Sequence, residues 1–500
     1  MLATSDGHVA AFWAPPDGGL RFIWDDRVGP SFDGLVVMSD GRRLFWSEDD
    51  RHIAYIGVRG STQFVGRDGD EGPAFELVSR SVPPTFSRDG SRLVYGAQVE
   101  GTYRLIVDGA VGDDELAPVA AAFSADGRHL AYVAFDKGAH RVIVDGATVR
   151  ANVKLRNSVG TLQFSPDGQR FAFHEIGRGE GRWVVDGVDG LWVNDAPPLD
   201  LSMLRGVGKL RPPLPARFSP DSSKFAYWAD VKEKGVAVIV DGVAGPLLHK
   251  AGAPVYSPDS RHLAYVGELF SGRLGMVRDG AIEREWPRTT DRGGDPVFSA
   301  DSRRLAYVLE REEGGFLRKR RVFAIIVDTD SVFEYSAVDA SRWPVFSPDS
   351  RHLAWWTQDA VHGVVYVDGD ARIRGSEIVS EPILSASGRV VGAIKLDAGW
   401  TVQVDDLPGP PSGGMREHTP GSTGGGPVDP SKPNFSVSAS GDQVAWAGLF
   451  DGGVRPVVDD QLGPLYDEVF STTFDSYSAA TWLARRGDQT IRVTATSTPG

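Results

Sequence analysis

The sequence holds no cysteine. That excludes a disulfide framework, a thiolate metal site and a cysteine nucleophile, and it fits a reducing or an oxidising compartment equally. Long hydrophobic runs are missing as well: no stretch approaches the roughly 18 apolar residues that a membrane-spanning helix needs. Positive charge is scarce, with 53 Lys and Arg against 67 Asp and Glu and a net charge of −14. A nucleic-acid groove needs clustered cations to displace counterions, so this balance argues against nucleic acid as a partner, and against anionic membrane surfaces. Helical periodicity is absent throughout. So are the linear reaction motifs: there is no G-x-S-x-G elbow, no H-E-x-x-H, no phosphate loop ending in Lys-Ser/Thr and no EF-hand loop.

What the chain does have is turns and a repeat. Glycine (60) and proline (32) are plentiful without reaching the disordered range. The ten residues Phe346 to Trp355 read FSPDSRHLAW, and close copies start at Trp46, Phe86, Phe123, Phe164, Phe218, Tyr256 and Phe298. Worn copies start at Leu2, Leu384, Val437 and Phe474. Twelve copies in 500 residues is one every 42 or so, the period of four-stranded propeller blades.

The chemistry of one copy supports that period. An apolar residue ends a short first strand, and Ser-Pro-Asp-Ser/Gly makes a turn, because proline presets φ and the Asp and Ser side chains bond nearby backbone. A second strand follows, such as Leu263–Val266, rich in aliphatic and aromatic residues. A hairpin leads to a third strand ending in VDG, as at Val107–Gly109, Val144–Gly146, Val185–Gly187, Val240–Gly242 and Val367–Gly369. A less regular fourth strand completes the unit. The expectation is an all-β chain, a β-propeller of twelve four-stranded blades.

The FSPDGxxLAY pattern with its Asp-Gly third strand resembles the TolB-type, WD40-like propeller repeat family over essentially the whole chain. The third strand here ends in a bare VDG rather than in that family's longer, aromatic-containing ending. Such families often build six-bladed rings, so the spacing of the copies matters. From Asp241 to Ser257, the midpoint junction, is 16 residues, as short as any interval. Crossing from one ring to another should take on the order of ten extra residues at ~3.3 Å each. One continuous twelve-bladed ring spanning 1–500 is therefore favoured, with two tandem propellers (six plus six, or five plus seven) as the alternative. The last copy stops after its third strand, which predicts a missing outer strand there.

Function is harder to place. The Asp of each Ser-x-Asp turn (Asp89, Asp126, Asp167, Asp221, Asp259, Asp301, Asp349) and the VDG aspartates read as turn formers. His52, His129, His262 and His352 share one blade position, too far apart to bind one metal, and read as solvated turn residues. His174 with Glu175 stands outside that register as a lone pair. No catalytic residue, metal ligand or cofactor is assigned.

The departures from the repeat say more. Two long connectors, 187–217 and 407–434, emerge on one face with the hairpins between second and third strands. On that face Glu310 to Arg321 sets an acidic arm opposite a basic one across Gly314-Gly315. At the mouth of the channel, Arg217, Asp295, Arg342, Trp343, Glu381 and Asn434 replace the Pro, Ala or Val of other copies. Aromatic and charged groups around a concave mouth suit a ligand. The expected function is a non-catalytic scaffold binding a protein, peptide or small polar ligand there, the alternative a propeller lyase or hydrolase with its site at the mouth. A monomer is expected. The first copy begins by Leu2, leaving no room for a signal peptide, so the cytoplasm is the default compartment, and the periplasm or exterior applies if a leader was removed.

Overall fold

The Phe346 repeat folds as its pattern dictates, and it shows how every sheet is made. In the computed structural model, Val345–Phe346, Leu353–Gln358, Gly363–Val367 and Asp370–Gly375 form an antiparallel sheet in sequence order. Phe346 pairs with Leu353 and Ala354 with Val367. Ser350 sits at φ +67, the left-handed corner of the turn, where other copies carry glycine. The structure describes all residues except 1, 4–8, 16–17, 26, 39–40, 50, 113–116, 137, 154–161, 177–179, 192, 195–215, 232–234, 288–294, 314–319, 329–330, 337–343, 359–361, 379–381, 398, 413–434, 439–442, 451–452, 460, 475–479, 487–488 and 496–500.

The described residues form twelve antiparallel sheets, one per repeat, of the kind that serve as propeller blades. Eleven have four or five strands, the fifth being a split first or fourth strand, and the twelfth (Glu468–Phe474, Ala480–Arg486, Gln489–Ala495) has three. Among the described residues no fourth strand follows Gln489–Ala495. Two compact units hold six sheets each, one covering Met1–Gly245 and the other Pro246–His418 with Gly426–Gly500. They part at the midpoint junction.

The second strand is apolar at consecutive positions because it is covered on both faces. Leu353 and Trp355 pack into a cluster with Ala306, Val308 and Ile325 of the preceding sheet. Ala354 and Trp356 face the other way and, with Ile373 of their own sheet, pack against Leu384, Val390 and Ile394 of the tenth. Side chains alternate across a strand, so one face of each strand serves each neighbour. The pattern also explains the alanine in LAW and LAY. Ala306 is fully buried in the cluster that takes Trp355 of the next sheet, so a small residue on one sheet receives an aromatic from the other.

Candidate functional site

The motif turns are tied by their own side chains. Ser165 Oγ donates to Asp167 Oδ1 at 2.6 Å, and the same oxygen accepts the amide of Gln169 at 3.0 Å. Ser165 Oγ also accepts the amide of Arg170 at 2.9 Å. These bonds recur at Ser257–Asp259 and Ser299–Asp301. The serine hydroxyl is the chief reason that Asp126, Asp167, Asp259, Asp301 and Asp349 are all held below the ordinary carboxylate range.

Where the turn carries Ser instead of Gly, it also grips the sheet before it. Ser222 Oγ accepts the amide of Asp167 at 3.0 Å, Ser302 Oγ that of Asp259 at 2.9 Å, and Ser350 Oγ that of Asp301 at 2.9 Å.

The VDG aspartates do more than turn the chain. Asp108, Asp145, Asp279 and Asp368 all sit near φ +50, and one oxygen of each accepts the amide that opens the second strand (Leu93, Leu130, Leu263, Leu353) at 2.7–2.9 Å. The other oxygen takes the residue before that amide. It is histidine in four sheets, with Nδ1 of His52, His129, His262 and His352 all 2.7 Å from Asp68, Asp145, Asp279 and Asp368. Elsewhere it is Arg92, Arg170 or Arg304, each bonded to the equivalent Asp. The same arginines then lie over the aromatic of the next repeat, Phe123, Phe218 and Phe346, at 5.0–5.3 Å, and bond its backbone carbonyls. The four histidines are thus half-buried clasps rather than solvated turn residues. The sequence carried the signal: His or Arg at one motif position, with Asp about 16 residues on.

His174 and Glu175 are likewise committed. His174 is buried with its ring against Trp183. Glu175 is held by Arg182 at 2.8 Å and Arg150 at 3.4 Å, and both arginines also reach Asp189. Among the described residues, no group of three or more His, Asp or Glu side chains is placed to share a metal ion.

Of the residues expected at the channel mouth, two are described. Arg217, in Ala216–Phe218 of the first unit, is exposed and forms no ion pair among the described residues. Asp295, in the second unit, is half-buried, and its Oδ1 accepts the amide of Ala253 at 3.2 Å, fastening the eighth sheet to the seventh. Arg342, Trp343, Glu381 and Asn434 lie outside the described residues, as do most of both long connectors. In the hairpin on that face the register sets Glu312 opposite Arg321 and Glu313 opposite Arg320, the acidic arm against the basic one.

No protein-family model matches the chain, and no curated protein matches it. Solved structures do. A structure titled as the eukaryotic initiation factor is 13% identical over 81% of this chain and 93% of its own, with a TM-score of 0.38. TolB from Acinetobacter baumannii is 16% identical over 55% of this chain and 76% of its own, at 0.22. The tricorn protease is 12% identical over 98% of this chain and 54% of its own, at 0.29. What the sheets define is an all-β protein of blade-like four-stranded units.

Proposed function

We propose that the protein is a non-catalytic propeller scaffold that binds a protein, peptide or small polar ligand on the face carrying the long connectors. One observation carries this reading. The repeated carboxylates and imidazoles that an enzyme would draw on are engaged in turns and between sheets, at the opposite end of the strands from the connectors. The connector face is where the repeats stop resembling one another. The test is affinity capture with wild type, with a chain shortened by residues 413–433, and with R342A/W343A. Both variants should fold and lose the captured partner. Retention of the partner by both overturns the site.

The blade count belongs to the same proposal. We favour one twelve-bladed closure. Within each unit the core clusters join a sheet to its successor, as between the first and second or the eleventh and twelfth. What supports the single closure is the 16-residue interval from Asp241 to Ser257, too short to cross from one ring to another. Electron micrographs of single particles should show one broad annulus, and two lobes would mean tandem rings.

A further inference from the structure

A cavity of about 130 Å³ opens between the seventh and eighth sheets, both in the second unit. Met276, Leu305 and Tyr307, all buried, form its floor, and Arg278, Arg303 and Glu283 stand around it. Arg303 belongs to a motif turn and Arg278 ends a third strand, so the cavity lies toward the turns, away from the connector face. Two further charged groups in the lining are already committed. Asp328 is bonded to Arg304 and to the Leu305 amide, and Arg284 is engaged by the fold and lies over Trp286 at 5.5 Å.

The repeat itself marks out the other two arginines. At the motif position of Arg303, four copies carry Arg51, Arg128, Arg261 and Arg351, each paired with the Asp of its own turn at 3.7–3.9 Å. Arg303 makes no ion pair among the described residues and lines the cavity instead. At the position of Arg278, the second sheet carries Arg67, which donates to the carbonyls of Gly90 and Ser91 and pairs with Asp68. Arg278 lies over the Phe298 ring at 5.9 Å and makes no hydrogen bond or ion pair among the described residues. Both guanidiniums depart from their counterparts, and both do so at this cavity.

Glu283 and Tyr307 bring the opposite character. Glu283 is the extra residue of a bulge between the third and fourth strands, where Met276 pairs with Arg284 and Val277 with Ile282; bulges re-aim side chains. It is exposed, makes no hydrogen bond or ion pair among the described residues, and its charge is felt at the Tyr307 hydroxyl. Tyr307 is 2% exposed, and its hydroxyl has no hydrogen-bond partner among the described residues. Burial pushes its ionisation well up, so it stays neutral, with an oxygen that accepts as well as donates.

The lining therefore offers two cations without a partner, one such anion and a buried hydroxyl over a largely apolar floor. Its complement has two carboxylates, one ammonium and a short hydrocarbon body, since a guanidinium fork matches a carboxylate. The volume is close to the ~150 Å³ of a cavity that accepts one benzene ring, which suits one small molecule. We infer that this cavity binds a free acidic α-amino acid, aspartate or glutamate. Arg278 and Arg303 take its carboxylates, Glu283 and the Tyr307 oxygen take its ammonium, and its methylenes lie on Met276 and Leu305.

The test is equilibrium dialysis of the full chain at low ionic strength against labelled L-aspartate and L-glutamate. At least one should bind, at one site per chain. Succinate, which lacks the ammonium, and L-alanine, which lacks the second carboxylate, should compete at least tenfold more weakly. Arg278→Val restores the residue of other third strands, such as Val107 and Val240, and Arg303→Gln copies Gln169 at the same motif position, so both should fold. Each should weaken binding at least tenfold, as judged on chains whose melting is unchanged. Glu283→Gln, at an exposed position, should erase the preference over succinate. No binding of either amino acid, equal competition by succinate or L-alanine, unaltered affinity in both arginine variants, or an intact preference in Glu283→Gln overturns the assignment. None of these outcomes bears on the connector face.

Discussion

His352 Nδ1 lies 2.7 Å from Asp368 Oδ2, and the other oxygen of that carboxylate accepts the Leu353 amide at 2.9 Å. One side chain thus fixes the start of the second strand and the end of the third. Asp368→Ala should remove both bonds and leave a residue with a Cβ at φ +52, a conformation that Asp and Asn tolerate better than alanine. The expected cost is about 2 kcal/mol, with Asp368→Asn nearer 1 kcal/mol. Urea melting of the two variants measures it, and no loss in either would mean that the carboxylate's bonds contribute nothing.

Phe346 is 9% exposed, packs with Trp355 against the eighth sheet and lies beneath the Arg304 guanidinium. Phe346→Ala should cost roughly 3–5 kcal/mol, as large-to-small core changes do. A near-neutral melting result would contradict the packing described.

Gly168, at φ +74, occupies the turn corner where Ser222 sits one repeat later. Gly168→Ser should gain a hydroxyl bond to the Asp126 amide, like that between Ser222 and Asp167, while Gly168→Ala takes the same backbone strain without it. The serine variant is expected to be more stable than the alanine variant by about 1 kcal/mol. Parallel melting of the pair decides it.

Asp349 is held below its ordinary value of 3.8, chiefly by the Ser347 hydroxyl. A carboxyl depressed in the folded state contributes stability that is full above the unfolded value and is lost as pH falls through the folded one. The same sign applies to Asp126, Asp167, Asp259 and Asp301, so stability should drop together for many turns below about pH 4. In Ser347→Ala the Asp349 carboxyl should titrate at higher pH, as followed by its carbon chemical shift. An unmoved titration would assign the depression to another cause.

The blades were legible because a repeat prints its rules many times. Eight close copies sharing an aromatic and a Ser-x-Asp turn, seven of them with an Asp-Gly end, leave little freedom in strand order. The role of His352 was missed because its partner, Asp368, is 16 residues away and was read only as a turn former. Arg278 escaped notice for a related reason: VRDG differs from VDG by a residue before the conserved pair, and only packing puts it beside Arg284 and Tyr307. Arg217 and Asp295 were picked by the same rule, yet one is left exposed and the other is spent on the Ala253 amide. No pattern in sequence separates those two fates.

The bond from the Asp167 amide to Ser222 has a consequence for how such a chain changes over generations. Donor and acceptor come from the same motif, one from each of two successive copies, and the arginine that caps the next aromatic obeys the same rule. A copy with Ser at the turn corner and Arg before the second strand therefore carries both halves of the joint and can mate with another of its kind. Inserting or removing such a copy leaves these shared contacts intact, since the new neighbours arrive already matched. The array is a modular part, open to duplication, and its length is free to drift while each joint stays the same.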